Sequence, residues 1–165
     1  MRFIDPRQDR WHLAAGEDGP LPHPDPARDR LLTLAQWHAV RAHWPAGLNT
    51  GVIVPNDADV ADLAGCLPKL ALVVLQFPQW TDGRAYSQGR LLRVRHRFTG
   101  ELRAEGEVLV DMLPLLVRTG FDAAHLRADQ SREDAARALA FFPGHYQGDV
   151  AEPRPLFQRD EATQP

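Results

Sequence analysis

Leu70–Phe77 (LALVVLQF) is an apolar run of eight residues that begins just after Pro68. A run this long and this uniformly apolar suits a strand buried on both faces, and such strands belong to parallel sheets covered by helices. The chain around it repeats the unit. Gly51–Pro55 (GVIVP) is a shorter strand, Glu101–Ala104 a third and Phe121–Leu126 a fourth. Between them lie segments with helix-start and helix-stop signals. Asn56 can cap a helix that ends before Pro68. A second helix runs from Asp82 to about Arg97. A third opens at Asp111, carries Pro114 in its first turn and stops at Gly120. A fourth runs from Ser131, with Asp134 three residues on, to about Phe142 and Pro143. Alternation of this kind predicts an α/β domain with about four parallel strands, either an open doubly wound sheet or a half-barrel-like sheet.

The flanks are different. Residues 1–30 hold five prolines and six acids, and GEDGPLPHPDP (16–26) reads as a Pro-rich arm or loop. Thr33 and Gln36 have the spacing of a capping box, so a helix is expected from Thr33 to about Ala46. The α/β domain is therefore placed at 31–147, with regular strand–helix units from 51. The polar stretch 148–165 is expected to be a disordered tail.

Composition limits the chemistry. One cysteine, Cys66, excludes an internal disulfide framework and a cluster ligand set from this chain alone. No G-x-G-x-x-G follows a strand, and the seven histidines show no metal spacing. No cofactor and no metal site is expected. The net charge of −3 argues against a nucleic-acid partner. No apolar stretch reaches the roughly 20 residues of a membrane span, and no secretory pattern opens the chain. A cytoplasmic protein with no membrane partner is the expectation.

The cations are 18 arginines and one lysine. In α/β sheets ligands bind at the carboxyl ends of strands. Three strand ends carry an arginine there: Arg84 in Asp82-Gly83-Arg84, Arg103, and Arg127. With Ser87 one turn further along, Asp82, Gly83, Arg84, Ser87, Arg103 and Arg127 make a candidate rim for a small anion. The plain alternative is that each arginine has an internal carboxylate mate, for instance Asp82, Glu105 or Asp129. The helix 84–97 has no acid between Gly83 and Gly100. Its Arg90 and Arg93 are candidates for docking an acidic protein partner. Cys66 is expected to be an inert core thiol, Asp111 a helix cap and Asp122 a strand-start residue.

The stretch from Phe77 to Leu126 resembles a bacterial family of uncharacterised proteins. Its pattern is F-P-x-x-x-D-G-R-x-x-S, then L-R, then G-E-L-R-A-x-G-x-V-L-x-D, then R-x-G-F-D. Here it is met by Phe77, Pro78, Asp82, Gly83, Arg84 and Ser87, by Leu92 and Arg93, by Gly100 to Ala104, Gly106, Val108, Leu109 and Asp111, and by Arg118 and Gly120 to Asp122. Tyr146-Gln147 resembles the family's closing pair. Gly89 and Met112 depart from it, where Ala and Gln are frequent. Members are commonly encoded beside genes for assimilatory sulfite reductase and the sulfonucleotide reductase, and are often labelled as oxidoreductases involved in sulfite reduction. The resemblance implies an accessory protein of assimilatory sulfite or sulfate reduction that binds a reductase or a small oxyanion through the arginine rim. Two alternatives stand beside it. One is an enzyme acting on a small phosphorylated or sulfated metabolite, with Ser87 or Asp82 assisting proton transfer. The other is an interaction module using the basic helix.

Overall fold

The computed structural model describes residues 1–16, 19–141 and 144–158. Its main sheet has seven strands, all paired in parallel. In chain order these are β1 (Arg2–Phe3), β2 (His12–Leu13), β5 (Arg30–Thr33), β6 (Thr50–Val54), β7 (Leu72–Phe77), β8 (Glu101–Gly106) and β9 (Ala123–Ala124). A small hairpin, β3 (Ala15–Gly16) with β4 (Gly19–Pro20), stands apart. The helices are α1 (Leu34–Val40), α2 (Arg84–Val94), α3 (Leu113–Arg118) and α4 (Arg132–Phe141). No helix among the described residues is long and apolar enough to cross a membrane.

The spatial order is β1-β9-β8-β7-β6-β5-β2. From β5 to β9 each new strand adds on the same side, with no reversal. A doubly wound sheet needs a reversal, so of the two expected architectures this is the half-barrel, curled and parallel. The strand count is seven, not about four. The additional strands come from segments with weak signals. β5 is only RLLT, and β1 and β2 are two residues each.

Residues 1–30, expected as a Pro-rich arm, supply both sheet edges. β1 lies beside β9 at one end and β2 beside β5 at the other. Residues 4–11 therefore cross from one edge to the other as a strap. Edge strands this short present little unpaired backbone for unwanted pairing.

Alternate strand residues face opposite sides. Leu32, Val52, Val54, Val73, Leu75, Phe77, Leu102, Ala104 and Ala124 point to the side that also buries Trp37 of α1, Leu92 of α2 and Leu116 of α3. At about 1.5–3 kcal/mol for each fully buried aliphatic side chain, this outer, helix-covered layer dominates the stability. The inner, concave side has a smaller cluster, Leu31, Leu72 and Val74 under Trp11 of the strap. The strap thus takes the place of the missing half of the barrel.

Several local expectations shift. The capping box at Thr33 and Gln36 forms in both directions, but α1 stops at Val40. Asn56 caps no helix. The segment after β6 holds only 3-10 turns, at Val60–Leu63 and Leu67–Lys69, and Asp59 caps the first. Asp111 lies within the 3-10 turn Val110–Met112 that precedes α3, not at its cap. Ser131 does accept the Asp134 amide at the start of α4. Phe142 and Pro143 lie outside the described residues. Of the tail, Leu156 bonds back to the Tyr146 carbonyl and Val150 to that of Arg118, while residues 159–165 lie outside the description.

Candidate functional site

The loop after β7 is built on Asp82. Its carboxylate accepts the Arg84 backbone N–H at 3.2 Å and the Arg84 guanidinium at 3.0 and 2.7 Å. Asn56, from the loop after β6, donates to the same carboxylate at 2.7 Å. One side chain therefore joins two strand-end loops and the first turn of α2. The fork-to-fork pair with Arg84 is the first cause that holds the Asp82 carboxyl at about 2. A carboxylate so held is a poor proton acceptor at neutral pH. Ser87 is exposed on α2 and makes no side-chain hydrogen bond among the described residues. Neither residue has the geometry of a proton-transfer pair.

Arg103 is not at a strand end. β8 runs on to Gly106, so Arg103 sits in mid-strand on the inner side, with its side chain 1% exposed. Three carboxylates hold it: Asp9 of the strap, Glu101 at 3.1 Å and Glu105 at 3.4 Å. Burial by itself lowers the guanidinium's pKa, and hydrogen bonding and charge from Asp9, with Glu101, reverse that to a net rise. Glu101 also pairs with Arg2. Arg127 lies in the loop after β9, between Glu107 at 2.9 Å and Asp129 at 2.7 Å. It lowers the Asp129 carboxyl to about 2. Among the described residues Arg84, Arg103 and Arg127 share no carboxylate, and Arg103 lines the cavity beneath the strap while Arg127 lines a neighbouring one. Each is paired internally, as the plain alternative had it.

The two helix arginines separate. Arg93 turns inward and is only 12% exposed. It donates to the carbonyls of Gly120, Phe98 and Gly100 and pairs with Asp122. Asp122 also accepts the Leu102 amide, so the pair fastens α2 to β8 and to the turn before β9. Arg93 is a buckle and not a docking residue. Arg90 stays exposed, beside Leu91 (41% exposed) and Val94 (53%), with Arg95 exposed at the helix end. Trp80, 58% exposed, stands in the loop before α2.

The inner side has its own cavity, about 270 Å³, beneath the strap. Arg2, Arg10, Arg103 and Arg132 line it, against Asp5 and Asp9. Among the described residues no three His, Cys, Asp or Glu side chains are placed to hold a metal. Cys66 is half-buried, with its Sγ 4.0 Å from the Arg41 guanidinium.

Sequence reasoning did not reach Asp9, Asn56, Glu101 or Arg132. Asp9 and Arg103 are separated by 94 positions, and no local pattern pairs them. The motif glycines also take structural meaning. Gly106 has φ +106°, and a Cβ there would lie 2.4 Å from the Phe77 carbonyl oxygen.

A family described as bacterial protein of unknown function (DUF934) matches residues 51–157. No curated protein matches the chain.

Proposed function

The chain belongs to this bacterial family of unknown function, and from that premise we propose that it is an accessory protein of assimilatory sulfite or sulfate reduction, one that docks on a reductase of that pathway. The observation that carries the reading is the division of its arginines. Those at the expected rim are engaged by carboxylates. Among those left outward are two at the end of α2, Arg90 and Arg95, which flank Leu91 and Val94. No acid interrupts this face between Gly83 and Gly100. An apolar strip edged by uncompensated cations suits a partner surface with an apolar centre and acidic rim. Trp80, in the loop that leads into the helix, is also exposed, and aromatic side chains are frequent anchors of such contacts. The pathway comes from the family resemblance of Phe77–Leu126. The docking face comes from the exposed side chains.

The test is association of the purified chain with sulfite reductase and with sulfonucleotide reductase from the same source, measured at low and at high salt. Binding is expected with one of them and weakens as salt rises. The double substitution Arg90→Glu with Arg95→Glu is expected to weaken it by about tenfold or more, since like-charge contacts cost several kcal/mol. Because both side chains are exposed, the melting temperature stays unchanged. Failure of both reductases to bind at low salt, or full binding by the double variant, refutes the reading.

A further inference from the structure

We infer that the cavity beneath the strap is a binding site for a small oxyanion of the phosphate or sulfate type, gripped between Arg10 and Arg132. This does not rest on the docking reading, which concerns the opposite, helix-covered side.

Arginines are the commonest cations of this chain, so what matters is which of them are already committed. Arg2 and Arg103 line the cavity but are held by Glu101 and by Asp9, Glu101 and Glu105. Arg132 lines the same cavity, is exposed, and its side chain makes no ion pair or hydrogen bond among the described residues. Arg10 comes no closer to a carboxylate than 3.9 Å, to Asp29, which is beyond hydrogen-bond distance. Two guanidiniums thus face one cavity with their donors unspent.

Arg10 is also oriented. Its guanidinium carbon lies 5.3 Å from the centre of the Trp11 ring, and Trp11 is 6% exposed in the inner cluster. Attraction to an aromatic face restrains the guanidinium and leaves its N–H edge free. That edge suits the paired oxygens of a sulfate or phosphate.

The lining carboxylates set the balance. Asp9 is neutralised by Arg103. The Asp5 carboxylate accepts one hydrogen bond, from the Arg7 backbone amide, and faces the cavity without a cation bonded to it. The four arginines of the lining meet Asp5, Asp9 and the Glu101 and Glu105 that hold Arg2 and Arg103, so the charges balance and the grip on a ligand comes from the unspent donors of Arg10 and Arg132. Of these carboxylates only Asp5 has no cation bonded to it among the described residues. Asp5 is therefore the residue that competes with the ligand.

Calorimetric titration of the intact chain with phosphate, sulfate and sulfite, at constant ionic strength made up with chloride, tests the inference. Saturable binding of at least one of the three is expected, and the three arms separate phosphorus from sulfur oxyanions. Arg132→Ala and Arg10→Ala are each expected to weaken binding by about tenfold or more, the worth of a charge-assisted bidentate contact. Asp5→Asn is expected to tighten it. Arg90→Glu, on the far side, leaves it unchanged. Arg132 holds no internal contact, so an unchanged melting temperature shows that its variant is folded. Absence of saturable binding to the wild type, or equal binding by the wild type and both arginine variants, overturns the inference.

Discussion

Arg103→Met separates a structural from a ligand-facing role for the inner arginine. The side chain is 1% exposed and is surrounded by Asp9, Glu101 and Glu105. Methionine keeps much of the length and packing volume, so the main loss is the cation. Three mostly buried carboxylates then face one another, with Arg2 remaining on Glu101. Breaking a buried ion pair by removing one partner costs about 3–5 kcal/mol. At about 2–4 °C per kcal/mol for a chain of this size, the melting temperature falls by roughly 6–20 °C. The loss also depends on pH. Burial raises the Glu105 carboxyl above its ordinary value of 4.5, and Arg103 opposes that rise. An acid with a raised folded-state pKa leaves stability intact below its ordinary value, and that stability is lost as pH climbs through the raised one. Without Arg103 the rise is larger. The penalty in the variant is therefore smallest below the carboxylate range and grows toward neutral pH. Urea unfolding of both proteins across that range measures it. A variant within about 1 kcal/mol of wild type, or a penalty that does not grow with pH, refutes the account of Arg103 as the cation that holds the strap.

Three other outcomes follow from the same structure. Gly89→Ala in α2 places a Cβ 2.6 Å from the Phe121 ring. The helix-propensity gain of about 1 kcal/mol is expected to be outweighed by overpacking of about 1–3 kcal/mol, read as a lower urea midpoint with unchanged slope. Gly106→Ala meets both a backbone oxygen and φ +106°, so it is expected to lose more than Gly89→Ala, and equal losses contradict the assignment. Asp82 and Asp129 have carboxyls lowered from 3.8 to about 2 by Arg84 and Arg127. Their contribution is present above 3.8 and lost as pH falls through about 2. Acid titration of stability is expected to be flatter in Asp82→Asn than in wild type over that interval, and identical slopes count against the pair.

Much of the architecture was legible because it is local. The LALVVLQF run, the Thr33–Gln36 capping box and the Ser131 cap of α4 each depend on residues within a few positions of one another. The two-residue edges β1 and β2 carry no periodic signal, and only their neighbours in the sheet make them strands. The helix expected after Asn56 fails for a related reason. Asn56 is drawn to Asp82 across the rim instead of capping its own segment.

The candidate site divides in the same way. By itself the sequence determined an alternating α/β chain, one thiol, arginine as its working cation, and a helix 84–97 without acids. The tertiary structure alone decided what each arginine does. Arg103 meets Asp9 only because the strap crosses the inner side, and Arg93 meets Asp122 only because α2 lies over the turn before β9. Arg90, Arg10 and Arg132 keep uncommitted donors because no carboxylate arrives within hydrogen-bond distance. A guanidinium's charge is written in the residue, but its partner depends on which distant segment the fold brings within about 3 Å.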